Sequence, residues 1–191
     1  MGEGLFGDVL ARAGVGSGGS AVLSPDGLHR YRLERWWPHD PENGPAMGAV
    51  LWVMLNPSTA DANTDDPTIR RVIGFSSEWR YTRAIVVNLH SVRATDPADI
   101  ADLPDYGACV ADDTLRIAAE QSDEVVVAWG ASAGRWPTRA AHVYNLLAAS
   151  RRRPTELYPR SVWCLGTTKH GHPKHPLYVA AATPRQLWSP S

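Results

Sequence analysis

Four short polar stretches hold the residue types that do chemistry. The first is Asn56-Pro57-Ser58-Thr59-Ala60-Asp61, followed by Asp65 and Asp66. The second runs from Asn88 through His90 and Ser91 to Arg93. The third is the pair Trp129-Gly130. The fourth holds Lys169, His170, His172, Lys174, His175 and Tyr178. An Asn positions a water or reads a hydrogen-bonding edge, and Asp or His moves a proton. Arg and Lys hold phosphate, and an aromatic ring stacks on a planar group.

Each stretch also has a plain structural reading. Asn56 to Thr59 is a turn and cap on that reading, and the acids at 61, 65 and 66 favour a helix N-terminus rather than bind a metal. Asn88 satisfies backbone groups, and Trp129 is a core residue. His170, His172 and His175 have alternating spacing on a Pro/Gly loop, unlike the i, i+4 spacing of helical zinc ligands. No metal and no cofactor is therefore expected. No Gly-x-Ser-x-Gly elbow, phosphate-loop motif or dinucleotide fingerprint occurs, and neither Cys109 nor Cys164 sits in a nucleophile motif.

What favours function is the position of these stretches relative to the apolar runs. Val50 to Leu55, Ala84 to Leu89, Glu124 to Gly130 and Ser161 to Gly166 read as buried strands, and each ends in one of the polar clusters. Helical segments separate them, at 69–81, 112–121 and 139–150. Asp66 is placed to cap the first helix and Pro67 to start it. The pattern predicts an α/β fold: a three-layer αβα sandwich around a four-stranded, mainly parallel sheet. Parallel strands put their carboxyl ends on one edge, so the four polar stretches converge there, where ligands of such sheets bind.

Upstream, His29 to Trp37 alternates partly between apolar and charged residues and reads as a half-exposed edge strand. Residues 1–20 are rich in Gly and Ser and read as a flexible tail, leaving 21–191 as a single domain. Hydrophobic residues make up 43% and charged residues 20%, and the formal net charge is −1. No global basic field announces nucleic acid. Two cysteines fit a reduced, cytoplasmic setting better than a disulfide scaffold. No apolar run suits a membrane span and no signal peptide is evident, so a soluble chain is expected.

With these motifs on the page, a family resemblance emerges. Leu55-Asn56-Pro57-Ser58-Thr59-Ala60-Asp61, Asp65-Asp66-Pro67-Thr68-Ile69-Arg70-Arg71, Asn88-Leu89, Arg93-Ala94-Thr95-Asp96-Pro97, Ala128-Trp129-Gly130 and Leu165-Gly166-Thr167-Thr168, with Gly171-x-Pro173-x-His175-Pro176-Leu177-Tyr178, resemble the bacterial domain-of-unknown-function family 1643. The resemblance covers roughly residues 29–188. That family carries no established activity.

The order of the motifs is also distantly similar to the uracil-DNA glycosylase superfamily. There a Gly-x-Asp-Pro or Gly-x-Asn-Pro loop holds the attacking water, and Asn56-Pro57 stands in its place. A strand-ending Asn reads the base edge, as Asn88 would. The third strand often ends in Trp-Gly, as in Trp129-Gly130. A His-Pro-Ser loop closes the set; His175-Pro176-Leu177 resembles it, with His172-Pro173 as the competing register. This chain departs at Leu55, where Gly is usual, at Leu177, where Ser is usual, and at Asn56, which stands in place of the acid of the most active branch.

The resemblance implies hydrolysis of a base–sugar bond in a nucleoside, nucleotide or nucleic acid. On it Asn56, Asp61 and His175 are the catalytic candidates, with Asp65 as an alternative base to Asp61. Pro57, Ser58, Thr59, Asp65, Asn88, His90, Arg93, Trp129, Gly130, Lys169, His172 and Tyr178 would bind the substrate. Arg70 or Arg71 would help to hold phosphate. A non-catalytic nucleotide or nucleic-acid binder and a metal-assisted hydrolase are the alternatives.

Overall fold

A computed structural model describes residues 17–100, 108–150 and 161–190. The most apolar run forms β3 (Met47–Met54), whose last six residues are all buried. A strand buried on both faces must be apolar at every position rather than at alternate ones, which is why this run is continuous. Beside it lies β4 (Tyr81–Asn88), paired in parallel from Met47↔Tyr81 to Met54↔Asn88. On its other side, β5 (Glu124–Val127) pairs in parallel from Val50↔Glu124 to Val53↔Val127. Then β6 (Val162–Cys164) follows, parallel to β5.

The expectation of a four-stranded sheet is corrected. The sheet is mixed and has seven strands, because β1 (Gly18–Leu23), β2 (Arg30–Trp36) and β7 (Gln186–Leu187) add to its edges in antiparallel pairing. The order is β1-β2-β4-β3-β5-β6-β7. Gly18 to Ser20, read as tail, belong to β1, and residues 1–16 lie outside the described residues. Nor is β2 the half-exposed edge strand its charges suggested. Arg32, Glu34 and Arg35 are buried, and Glu34 takes Arg32 on one oxygen and Arg83 of β4, at 2.5 Å, on the other. Opposite charges in one cluster let a strand of alternating charge lie inside the sheet, whereas an unpaired buried charge is costly.

Three α-helices occur among the described residues: α1 (Pro67–Glu78), α2 (Ala108–Glu120) and α3 (Pro137–Ala149). Ile69, Val72 and Phe75 of α1 pack with Val50, Trp52 and Val86 on one face of the sheet. Leu115 and Ala118 of α2 and Val143 and Leu147 of α3 pack with Leu51, Val53 and Val125 on the other. Each large aliphatic side chain so buried contributes roughly 1.5–3 kcal/mol. Trp52 keeps its polar edge satisfied by donating from Nε1 to Ser76 Oγ at 2.9 Å. The helix expected to run to Tyr81 stops at Glu78. Arg80 takes a left-handed φ of 66°, and the chain reverses directly into β4.

The connections from β3 and from β5 leave in opposite directions along the sheet, β3 to β4 and β5 to β6. That reversal opens a crevice beyond the carboxyl ends of β3 and β5.

Candidate functional site

A cavity of 610 Å³ occupies this crevice. Its walls come from the loops after β3, β4, β5 and β6, from the start of α1, and from Arg30 of β2. Of the residues singled out in the sequence, Asn56, Ser58, Thr59, Asn88, Trp129, Gly130, His175 and Tyr178 line it. The register explains the meeting. Met54 and Asn88 end their strands side by side, and the backbone N–H groups of Leu89 and His90 donate to the carbonyls of Met54 and Leu55.

Asn56 is fixed through one end of its amide. Its Nδ2 donates to the carbonyls of Ala94, at 2.6 Å, and Pro57, at 3.1 Å. The Ala94 N–H returns a bond to the Pro57 carbonyl at 2.9 Å. Oδ1 has no partner among the described residues, so the amide presents an acceptor to the cavity.

Asn88 is 4% exposed, and neither Nδ2 nor Oδ1 has a partner among the described residues. Trp129, 1% exposed, likewise keeps an unpartnered indole N–H. Buried polar groups are nearly always hydrogen-bonded, so such orphans on two residues of one cavity wall mark a place for a polar ligand.

His175 begins the short 3-10 turn Pro176–Tyr178, and its Nδ1 accepts from the Leu177 N–H at 3.3 Å. In the neutral ring the hydrogen therefore sits on Nε2. Burial pulls this imidazole from 6.5 down to about 4, against a smaller opposing pull from the Asp66 charge. His175 is thus a neutral donor at physiological pH. Gly130 holds the loop close: its φ is 78°, its N–H donates to the Pro173 carbonyl at 2.9 Å, and a Cβ there would sit 3.4 Å from that of His175. From α1, Arg71 grips the same loop through the carbonyls of Pro176 and Val179.

The other expected site residues do not line the cavity. Asp61 closes its own turn by accepting from the Asn63 and Thr64 N–H groups, which lower its carboxyl below the usual range. Asp65 is paired with Arg35 at 2.6 Å. The carboxylate in the cavity wall is Asp66, one oxygen of which accepts from the Ile69 N–H at 2.8 Å and caps α1. Asp61 and Asp65, the residues expected to offer a base, are thus held in the loop after β3 and lie outside the cavity wall. Pro57 is buried and offers its carbonyl to Asn56 and Ala94. The His90 ring packs 4.8 Å from that of Trp136, and His172 lies against Gly134. Arg93 reaches the Gly27 carbonyl at 3.4 Å, and Lys169 is exposed at the turn after Thr168. Arg70 donates to the Asp65 carbonyl.

The cavity also holds Lys174, noted in the fourth polar stretch without a role, and residues that sequence reasoning passed over: Arg30, Thr68, Thr95, Ser132 and Thr168. Lys174 and Thr168 sat within the right loop, and Thr68 beside a recognised cap. Arg30 carried no such signal. Among the described residues, no three His, Cys, Asp or Glu side chains come together so as to hold a metal ion. No helix there is long and apolar enough to cross a membrane.

The model of one protein family matches residues 30–177, which hold every residue of the cavity wall except Tyr178. The chain belongs to that family, described as a protein of unknown function (DUF1643). Neither a curated protein nor a solved structure matches it. This member of DUF1643 thus carries its site on the mixed sheet itself, at the reversal of strand order.

Proposed function

We propose that this protein is an N-glycosidase acting on a nucleoside, nucleotide or nucleic acid, on a uracil-glycosylase-like arrangement of the four parallel strands. The observation that carries the reading is Asn88. Its amide keeps one donor and one acceptor, side by side, buried and without a partner among the described residues, on a residue of the cavity wall. That pair complements the N–H and C=O of a nucleobase edge.

Cleavage of a base–sugar bond breaks C1′–N, and the electron pair leaves with the base. Water supplies the new C1′–O bond and gives up a proton. Asn56 Oδ1 is suited to accept a hydrogen bond from that water, and Asn cannot take its proton. The free carboxylate oxygen of Asp66 supplies the proton acceptor. His175, neutral with its hydrogen on Nε2, suits the charge that grows on the departing base. A neutral donor stabilises an oxyanion without first having to be protonated. Tyr178, 83% exposed and on the cavity wall, gives ring surface against which a base packs.

One observation favours a second reading, a nucleotide-binding module without turnover. Asp66 already spends one oxygen on the helix cap. Base release separates the two readings. The pure protein is incubated with nucleosides, nucleotides and oligonucleotides carrying normal and altered bases, and free base is measured by mass spectrometry. Release that disappears in Asn56→Ala supports the glycosidase. Ligand-dependent stabilisation with no free base supports the module.

A further inference from the structure

Arg30 is the least expected group in the cavity wall. It is 3% exposed, and no carboxylate lies within ion-pair distance of it among the described residues. Its Nη1 donates to the Ala60 carbonyl at 2.6 Å, and its Nε has no partner among the described residues. The neighbouring charges do not compensate it either. Burial pushes the guanidinium down to about 10; Asp66 and, less strongly, Asp61 oppose that, while Arg93 and Arg35 add to it. A buried cation with an unused donor is costly unless an anion completes it.

The backbone goes out of its way to put it there. Two residues apart on a strand, Arg30 and Arg32 belong on one face. Arg32 does turn to Gln121, just beyond α2, and to Glu34. The β1–β2 register breaks between these positions: Val22 pairs with Arg32, but Leu23 pairs with Arg30, passing over Tyr31. The extra residue reverses the alternation, and Arg30 points to the α1 side, against Ala60 and into the cavity. Bulges of this kind re-aim side chains at sites.

We infer that Arg30, with Lys174 as a second cation of the cavity wall, holds the phosphate of a free nucleoside monophosphate whose base is read by Asn88. A planar guanidinium offers paired N–H donors that match phosphate oxygens. The volume of 610 Å³ is that of a small-ligand site. A guanidinium sunk this far into the protein suits a terminal phosphate that enters the cavity, better than a phosphodiester held on a polymer outside it.

The inference rests on the base-binding reading of the same cavity, and it is tested without turnover. Calorimetric titration of the full chain uses the 5′-monophosphates of uridine, cytidine, adenosine, guanosine and inosine, their nucleosides, and the matching dinucleotides. At least one monophosphate is expected to bind about tenfold or more tightly than its nucleoside, as charge-assisted pairing implies. Arg30→Met should close that gap, and Arg30→Lys should narrow it. Inorganic phosphate should raise the melting temperature of the wild type and not that of Arg30→Met, a readout that a merely structural arginine would not move.

Equal binding of nucleoside and monophosphate overturns the inference. So does a gap that survives Arg30→Met, or one left unchanged by Arg30→Lys should the Met variant fail to fold. An absence of binding across the panel overturns it too, as does an Arg30-dependent preference for dinucleotides over monophosphates. Monophosphate binding without base release would leave this inference standing and remove the glycosidase. Base release with affinity indifferent to Arg30 would do the reverse.

Discussion

Nδ2 of Asn56 donates to the carbonyl of Ala94 at 2.6 Å, joining the loop after β3 to the loop after β4. This bond decides which end of the amide the cavity meets. Both carbonyls around Nδ2 are acceptors, so Oδ1 must point the other way. Asn56→Asp would set a carboxylate against two carbonyls and is expected to destabilise the fold by about 2 kcal/mol. Asn56→Ala leaves the carbonyls without that clash but removes the acceptor, and base release should fall by roughly 10²-fold. Denaturant unfolding and a base-release assay measure the two effects.

Asn88 offers the opposite combination. Its amide is buried without partners, so the protein carries a desolvated polar group in the absence of ligand. Asn88→Leu should raise stability by about 1–2 kcal/mol while abolishing ligand binding. Chemical denaturation and calorimetry on one preparation check both. A loss of stability would show that the amide serves the fold rather than a ligand.

His175 sets the pH dependence. Its imidazole is lowered from 6.5 to about 4 in the folded chain. Between those values the unfolded chain binds the proton that the folded chain refuses, so folding stability rises with pH across that window. The contribution, about 3 kcal/mol at most, is complete above 6.5 and lost as pH falls through 4. Activity should likewise show no histidine step near 6.5, and fall only as the pH approaches 4. Thermal melts and a pH–rate profile of the wild type against His175→Asn test this. An activity step near 6.5 that follows His175 would refute it.

Asp66 and Asp61 are told apart by paired substitutions. Asp66→Asn keeps a good helix cap and removes the charge, so stability should change by well under 1 kcal/mol while base release drops sharply. Asp66→Ala also removes the cap and should lose about 1 kcal/mol more. Asp61→Asn weakens only the turn at 61–64, and its effect on base release should be at least about tenfold smaller than that of Asp66→Asn. The reverse order would restore Asp61 as the base.

The sequence by itself determined the apolar strands and where each one ends. A strand buried on both faces has to be apolar throughout, and the polar residues that follow it mark its carboxyl end. That was enough to bring Asn56, Asn88, Trp129-Gly130 and His175 to one edge before any coordinate was known. Only the tertiary structure decided the rest. The strands β1 and β7 are made of weakly patterned residues and exist because neighbours offer them an edge. In β2, charged residues lie inside the sheet because Arg32, Glu34 and Arg83 compensate one another across strands. The acid in the cavity is Asp66 rather than Asp61, because capping α1 aims one and closing a turn diverts the other. Arg30 reaches the cavity through a one-residue break in register. Period-two patterning cannot reveal such a break, because it depends on how β1 pairs with β2 and not on the residues of either strand alone.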